Sequence, residues 1–277
     1  MPELPEVELV ARSLHRLLAG RHITQAHLMR ERLAPDTTPR RFAESVSSSR
    51  LTRVHRRGKY ILFDLDNGRT LITHLRMSGR FMLLGPDRQD PKFTHAAFFL
   101  DDDRRLIFQD QRHFGMMKIV ATNELDSASE LSKLAPEPFS DHFTPEYLHA
   151  TLRRSKRSIK EFLLDQTKVC GLGNIYAAET LFMAGIHPAT RTHRLTKART
   201  KLLFTRIREV LAEAIDAGST LNVDPENIDA SYYGGGYESH WRVYERERTP
   251  CSACGSTISR IRQGGRSSYF CSRCQRR

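Results

Sequence analysis

This 277-residue sequence predicts an α+β protein of several domains. Three observations carry that reading. A helical apolar period opens the chain, short alternating strands follow it, and capped helices then lead into a cysteine-rich tail. The length is enough for two or three ordinary domains and a sizeable core.

The first element is a helix. Leu4, Val7, Val10, Ala11, Leu14, Leu17 and Leu18 recur at helical spacing, and Gly20 supplies the stop. Ahead of it stands Met1-Pro2-Glu3-Leu4-Pro5-Glu6. Initiator methionine is usually trimmed before a small residue, which exposes a secondary amine on Pro2. An α-amino group titrates near ~7.7–8.0, so part of it is neutral and nucleophilic at physiological pH. Such an amine can add to an aldehyde-like carbon and form an iminium. Glu3, covalently next to it, can protonate the group that leaves. Nearness to a helix start favours the neutral amine further, and an amphipathic helix can pin the reactive terminus against a core.

From about residue 51 the period becomes extended. Tyr60–Asp66, Thr70–Arg76, Arg80–Leu84, Ala96–Leu100, Arg104–Gln109 and Met116–Val120 are short, β-rich and bounded by turns. Asp66-Asn67-Gly68 is a hairpin signal and Asp101-Asp102-Asp103 marks another turn. Evenly spaced short strands predict an antiparallel sandwich or barrel.

The texture changes again near Leu134–Phe139. Thr144 with Pro145 reads as a cap and first helical residue, and Ser158-Ile-Lys-Glu161 reads as a capping box. Asn174 is placed to cap a helix that Gly185 stops, and Thr196–Ala217 carries a long apolar stripe ending at Gly218. The stretch 222–239, with Gly234-Gly235-Gly236, reads as a mobile loop or linker. The expected domains are therefore 1–135, 136–222 and 223–277.

The tail is the most specific motif. Cys251-x2-Cys254 and Cys271-x2-Cys274 match a zinc ribbon, whose four thiolates leave no open position, so one structural zinc ion is expected. Residues 251–277 hold six arginines and no acid, and Arg266 lies in the Gln263-Gly-Gly-Arg-Ser-Ser268 turn, suited to presentation into a nucleic-acid groove. Cys170, outside the cluster, reads as a small buried apolar residue. Gly171 and Gly173, just before a helix, can offer backbone N–H groups to a phosphate oxygen, with Asn174 as a further donor. Arg153, Arg154, Lys156, Arg157 and Lys160 would add phosphate contacts. Lys59, in Arg56-Arg57-Gly58-Lys59-Tyr60, offers another cation. Met77, in His74-Leu-Arg-Met-Ser-Gly79, and Arg112 with Phe114, in Asp110-Gln-Arg-His-Phe-Gly115, suit insertion into a base stack from loops.

Charge agrees with a polyanionic partner: the formal net charge is +12 and the isoelectric point is near 9.8. No apolar run approaches the ~18 residues of a membrane span. The acidic, amphipathic N-terminus is not a signal peptide, so a cytoplasmic location, nucleoid-associated on DNA, is expected.

Together these segments resemble the formamidopyrimidine-DNA glycosylase family along essentially the whole chain. The resemblance rests on Pro2–Val7, Arg57-Gly-Lys59-Tyr, His74–Gly79, Arg112-x-Phe114-Gly115, Gly171–Ala177, Ala184–Pro188 and the cysteine-rich terminus. It implies an N-terminal β-sandwich, a helix–two-turn–helix domain and a zinc finger, in a monomer that binds duplex DNA with damaged bases or abasic sites. It implies a glycosylase and abasic-site lyase with Pro2 as nucleophile on C1′, Glu3 as general acid and Glu6 in the supporting site. Lys59 and Arg266 would bind phosphate and assist β- and δ-elimination. Met77, Arg112 and Phe114 would fill the gap left by the extruded base, and Asn174 would bind phosphate. Phe93 stands near where a family histidine contacts DNA. Gln111 and His113 replace the family's Pro and Arg, Arg76 replaces a common glycine, and the 222–239 stretch differs from the lesion-capping region. The related endonuclease VIII type, which prefers oxidised pyrimidines, more often has glycine at the fourth position. A non-catalytic nucleic-acid binder would need neither the terminal amine nor its adjacent acid.

Overall fold

In the computed structural model, which describes residues 1–221, 224–226 and 235–277, the chain forms two compact units. One comprises 1–132 with 221–234, the other 133–220 with 235–277.

The first unit opens with α1 (Leu4–Leu18), whose Leu4, Val7, Val10, Ala11, Leu14 and Leu18 are buried. The strand β1 (His22–Leu28) and helix α2 (Pro39–Val46) follow, then β2 (Ser49–Arg57), β3 (Tyr60–Leu65), β4 (Arg69–His74), β5 (Gly79–Leu84), β6 (Thr94–Leu100), β7 (Arg105–Asp110) and β8 (Met116–Ala121). All pairings are antiparallel, in the order β5-β7-β6-β1-β2-β3-β4-β8. The β1–β2 join is short, His22 opposite Arg50 and Ile23 opposite Ser49, and there the sheet folds into two four-stranded layers. Phe63 of one layer meets Phe81 of the other with ring centroids 5.2 Å apart. Among the described residues the edge strands β5 and β8 do not pair, so the form is an open sandwich and not a closed barrel.

Two contacts lock α1 onto β2. The Arg56 guanidinium donates to Glu8 at 2.5 Å, and the Val54 N–H donates to His15 Nδ1 at 3.2 Å. The body and last turn of α1 are thereby held against the sheet.

The second unit contains α3 (Pro145–Arg153), α4 (Ile159–Leu163), α5 (Asn174–Met183), α6 (Lys197–Asp216) and a hairpin of β9 (Ile258–Gln263) and β10 (Arg266–Cys271). Thr144, Ser158 and Thr196 cap their helices as their sequence positions predict. At Ser158 the contact with Glu161 is made by the hydroxyl, which accepts from the Glu161 N–H at 3.4 Å and donates to its carboxylate at 2.6 Å. Asn174 does not cap α5. Gly173 in extended conformation takes that place, and Asn174 is the first helical residue. Within 222–239, residues 222, 223 and 227–234 lie outside the described residues, and Gly236–His240 forms a 3-10 turn. No helix among the described residues is long and apolar enough to cross a membrane.

Candidate active site and nucleic-acid interface

Met1 is 44% exposed, whereas Pro2, Glu3 and Glu6 are buried. The Glu3 N–H donates to the Glu6 carboxylate at 2.7 Å, the returning half of a capping box. A charge-assisted bond of this kind holds Glu3, and the Pro2 nitrogen bonded through it, in one orientation. Lys59, 5% exposed, follows Gly58 in the β2–β3 turn, where φ is +60°. A buried lysine at a tight turn is held in place, unlike a solvated surface charge.

Two loops of the same unit carry the predicted wedge residues. Arg76 adopts φ +54° and donates its N–H to His74 Nδ1 at 2.9 Å, turning the chain so that half-buried Met77 follows. Burial, aided by the positive charges of Arg76 and Lys59, pulls the His74 pKa down to about 3, so its ring is a neutral acceptor at physiological pH. Arg112 lies over the Phe114 ring at 5.4 Å, and Phe114 is 56% exposed. An exposed aromatic with a stacked guanidinium has solvent in place of a core partner. Phe93, also exposed, sets its ring edge-on to His113 at 5.6 Å, and His113 Nδ1 stands 3.0 Å from His95 Nε2. His113 thus joins an imidazole pair. Burial, with His113 and Arg30 nearby, lowers the pKa of His95.

In the second unit Lys160 is 1% exposed and its Nζ donates to the Asn174 carbonyl at 3.2 Å. Sequence reading takes this lysine as a phosphate contact; the bond seen here ties its ammonium to the first residue of α5. Asn174 Oδ1 is buried with no hydrogen-bond partner among the described residues, while Lys156 is exposed. Arg266 is exposed at the first position of β10, just after Gly264 and Gly265 at φ +53° and +76°. Two successive positive φ values make the tight hairpin turn that only glycine enters freely.

The four ribbon thiols converge. Their Sγ atoms all lie within 4.8 Å of one another. Cys251 and Cys274 stand 3.9 Å apart and Cys254 and Cys271 stand 3.5 Å apart, against about 3.8 Å between tetrahedral ligands each about 2.3 Å from zinc. Hydrogen bonds from Ser256 bring the Cys254 thiol down to about 6, while burial and the neighbouring thiols drive Cys274 up to about 12. Four thiolates cannot share this space without a cation. The donor set therefore fits one structural zinc, which when bound supplies cross-linking and no open coordination position. Cys170 is fully buried as expected, although its Sγ meets Glu137 Oε1 at 3.6 Å.

Sequence reading missed two buried acids. Asp110 ends β7 and is 1% exposed. Glu179 lies fully buried in α5, and its carboxylate accepts from Arg242 N at 2.8 Å, Val243 N at 3.0 Å and Tyr244 N at 2.8 Å. A single acid inside an apolar helical run, Ile175–Met183, is the signal that could have found the second.

Comparison with known proteins agrees with this geometry. Residues 1–117 match the sequence model of the formamidopyrimidine-DNA glycosylase N-terminal domain, 134–224 its H2TH domain, and 249–277 a zinc finger found in FPG and IleRS. Formamidopyrimidine-DNA glycosylases of Ruegeria pomeroyi and Cereibacter sphaeroides are 41% and 42% identical, with 100% of both chains covered. Solved complexes of Lactococcus lactis Fpg, one with DNA containing an oxidised pyrimidine and one with abasic-site DNA, superpose with TM-scores of 0.92 and 0.91 at 33% identity. The first covers 100% of both chains, the second 99% of this chain and 100% of its own. With its sandwich, capped helices and thiolate cluster in register with these relatives from end to end, the chain belongs to the formamidopyrimidine-DNA glycosylase family.

Proposed function

We propose that this protein is a base-excision-repair glycosylase and abasic-site lyase that removes oxidised purines, 8-oxoguanine and formamidopyrimidines, from duplex DNA. The observation that carries the reading is Pro2 buried at the start of α1 beside Glu3, with Glu3 held by Glu6 at 2.7 Å. Once Met1 is removed, the Pro2 nitrogen attacks C1′ of the damaged nucleotide. The glycosidic bond breaks with its electron pair on the base, and the departing base is protonated. Glu3 is the general acid that assists departure and sugar-ring opening, leaving an iminium between Pro2 and C1′. Loss of a C2′ proton then expels the 3′-phosphate, and a second elimination expels the 5′-phosphate. Lys59 and Arg266 bind phosphate and assist these two steps.

Reaching C1′ requires the base to leave the stack, at a cost of a few kcal/mol. Met77, Arg112 and Phe114 fill the gap, with Phe93 beside them. Asn174, Lys156 and Lys160 belong to the phosphate-binding side, Lys160 acting through the Asn174 carbonyl. The working divisions are 1–135 for catalysis, 136–222 for backbone binding and 223–277 for the lesion loop and zinc finger. The protein acts as a monomer in the cytoplasm, on the nucleoid.

The test is borohydride trapping on three duplexes, containing 8-oxoguanine, thymine glycol or an abasic site. A cross-link on the first and third supports the reading. The Lactococcus lactis relative solved with an oxidised pyrimidine makes the second duplex informative: preference for it moves the assignment to pyrimidines. No cross-link on any of the three leaves a non-catalytic binder.

A further inference from the structure

We infer that Asp110 is a positioning residue that joins the Met77 turn and the Arg112–Phe114 loop into one gap-filling body, an inference that rests on the wedge roles assigned above. Its carboxylate reaches both loops. Oδ1 accepts from the Ser78 hydroxyl at 2.5 Å and from the Arg112 N–H at 3.1 Å, and Oδ2 accepts from the Gly115 N–H at 2.6 Å. Ser78 closes the circuit, because its oxygen also accepts from the Arg112 N–H at 3.1 Å. The backbone of Asp110 adds a third segment, donating to the Phe93 carbonyl at 3.0 Å and accepting from the His113 N–H at 3.3 Å.

The packing beneath is equally fixed. A Cβ on Gly79 would stand 2.7 Å from Phe108 and 2.5 Å from the Leu75 carbonyl, and a Cβ on Gly115 would stand 2.7 Å from Phe108. One buried ring therefore lies against the backbone of both loops, and only glycine lets them approach it. Burial alone would raise the Asp110 pKa, but the Ser78 hydroxyl and the Gly115, Arg112 and Phe114 N–H groups hold it below the usual carboxylate range. The group is an ionised acceptor, as a hub facing only donors requires.

A side chain inserted into a base stack must present its atoms in one place. Misplacement by about 1 Å costs about a hundredfold in rate. Met77 and the Arg112–Phe114 pair enter the same gap, so a fixed offset between them matters more than the rigidity of either loop.

Two variants test the coupling. Asp110→Asn places an amide where an acceptor is needed, and Ser78→Ala removes the bridge between loops while leaving Asp110 bonded to its own. The expected result is an about ten- to hundredfold slower single-turnover excision of 8-oxoguanine from duplex for Asp110→Asn, and an about three- to tenfold fall for Ser78→Ala. Borohydride trapping on single-stranded abasic DNA, which has no opposing base to support, stays within about twofold of wild type. With 2-aminopurine opposite a tetrahydrofuran abasic analogue, the emission shift on binding is altered in both variants, a readout that general destabilisation does not mimic. Equal losses on single strand and duplex, or no loss on either, overturn the inference. Wild-type protein that traps on no DNA would sink the proposed chemistry instead, and the 2-aminopurine signal on uncleavable duplex would still judge the coupling.

Discussion

Replacing Glu179 should loosen the zinc ribbon without touching a cysteine. This carboxylate is fully buried and accepts three backbone N–H groups from Arg242, Val243 and Tyr244. The Arg242 guanidinium stands 3.8 Å away and also grips Glu213 at 2.9 Å. Burial pushes the Glu179 carboxyl up, against the pull of the three N–H groups and Arg242. Glu179→Ala orphans all three donors and one side of the guanidinium, so it should cost about 3–5 kcal/mol, the range for breaking a buried charged pair. Glu179→Gln is milder. Val243 and Tyr244 both bond to Oε1 and only Arg242 N to Oε2, so an amide oxygen at Oε1 keeps two bonds. Its cost should be about 1–3 kcal/mol, that of one unsatisfied buried donor facing an amide. Val243 packs with Ala178, Cys251, Ile258 and Cys271, so zinc should leave faster in the same rank order. Urea unfolding reports the midpoints, and a chromogenic chelator reports zinc release. An alanine variant with the wild-type midpoint and release rate would refute the reasoning.

Four other outcomes are expected. A protein extended ahead of Pro2 should lose borohydride trapping completely while still binding tetrahydrofuran duplex; retained trapping would assign the nucleophile to a lysine. Cys254→Ser should lose zinc, measured by atomic absorption, and weaken DNA binding with it. Gly115→Ala forces a Cβ to within 2.7 Å of the Phe108 ring and should destabilise by about 1–3 kcal/mol, read by urea midpoint. His74, whose pKa falls to about 3 in the folded chain, binds its proton first in the unfolded chain, near ~6.5. Stability from this group is therefore complete above that value and lost as pH falls toward 3. Between pH ~6.5 and ~4.5 the urea midpoint of His74→Asn should fall less than that of wild type, since the amide keeps the Arg76 bond without titrating.

Much of this was legible in the sequence, for physical reasons that differ by element. The β3–β4 hairpin announces itself because Gly68 at φ +75° needs the residue it has. The ribbon is visible because metal ligation tolerates few spacings. By contrast β1, with exposed and buried positions broken by a register shift between Ile23 and Gln25, does not alternate cleanly, and the arginine-rich β2 hides a buried face of Leu51 and Val54. The cap of α5 is displaced by one residue: Gly173 holds the extended conformation and Asn174 is already helical. Pro2, Glu3 and the loop residues Met77, Arg112 and Phe114 stand out because their residue types are unusual where they sit. Asp110 and Glu179 do not, since what they hold is backbone, and backbone partners leave no trace in composition.

The single helix α5 has a consequence for how a DNA strand is met. Asn174 begins it, and Ala178, Glu179 and Phe182 along its length seat the cysteine ribbon. At the ribbon's tip, a Cβ on Gly264 would come within 3.3 Å of Glu161 in α4, so the turn before Arg266 rests on the helical layer too. Asn174 and Arg266, the two groups proposed to bind phosphate, are thus mounted on one frame like the jaws of a fixed calliper. If those roles hold, duplex that presents its backbone at that gauge needs no rearrangement of this half of the protein, and a strand of another gauge has to bend to be held.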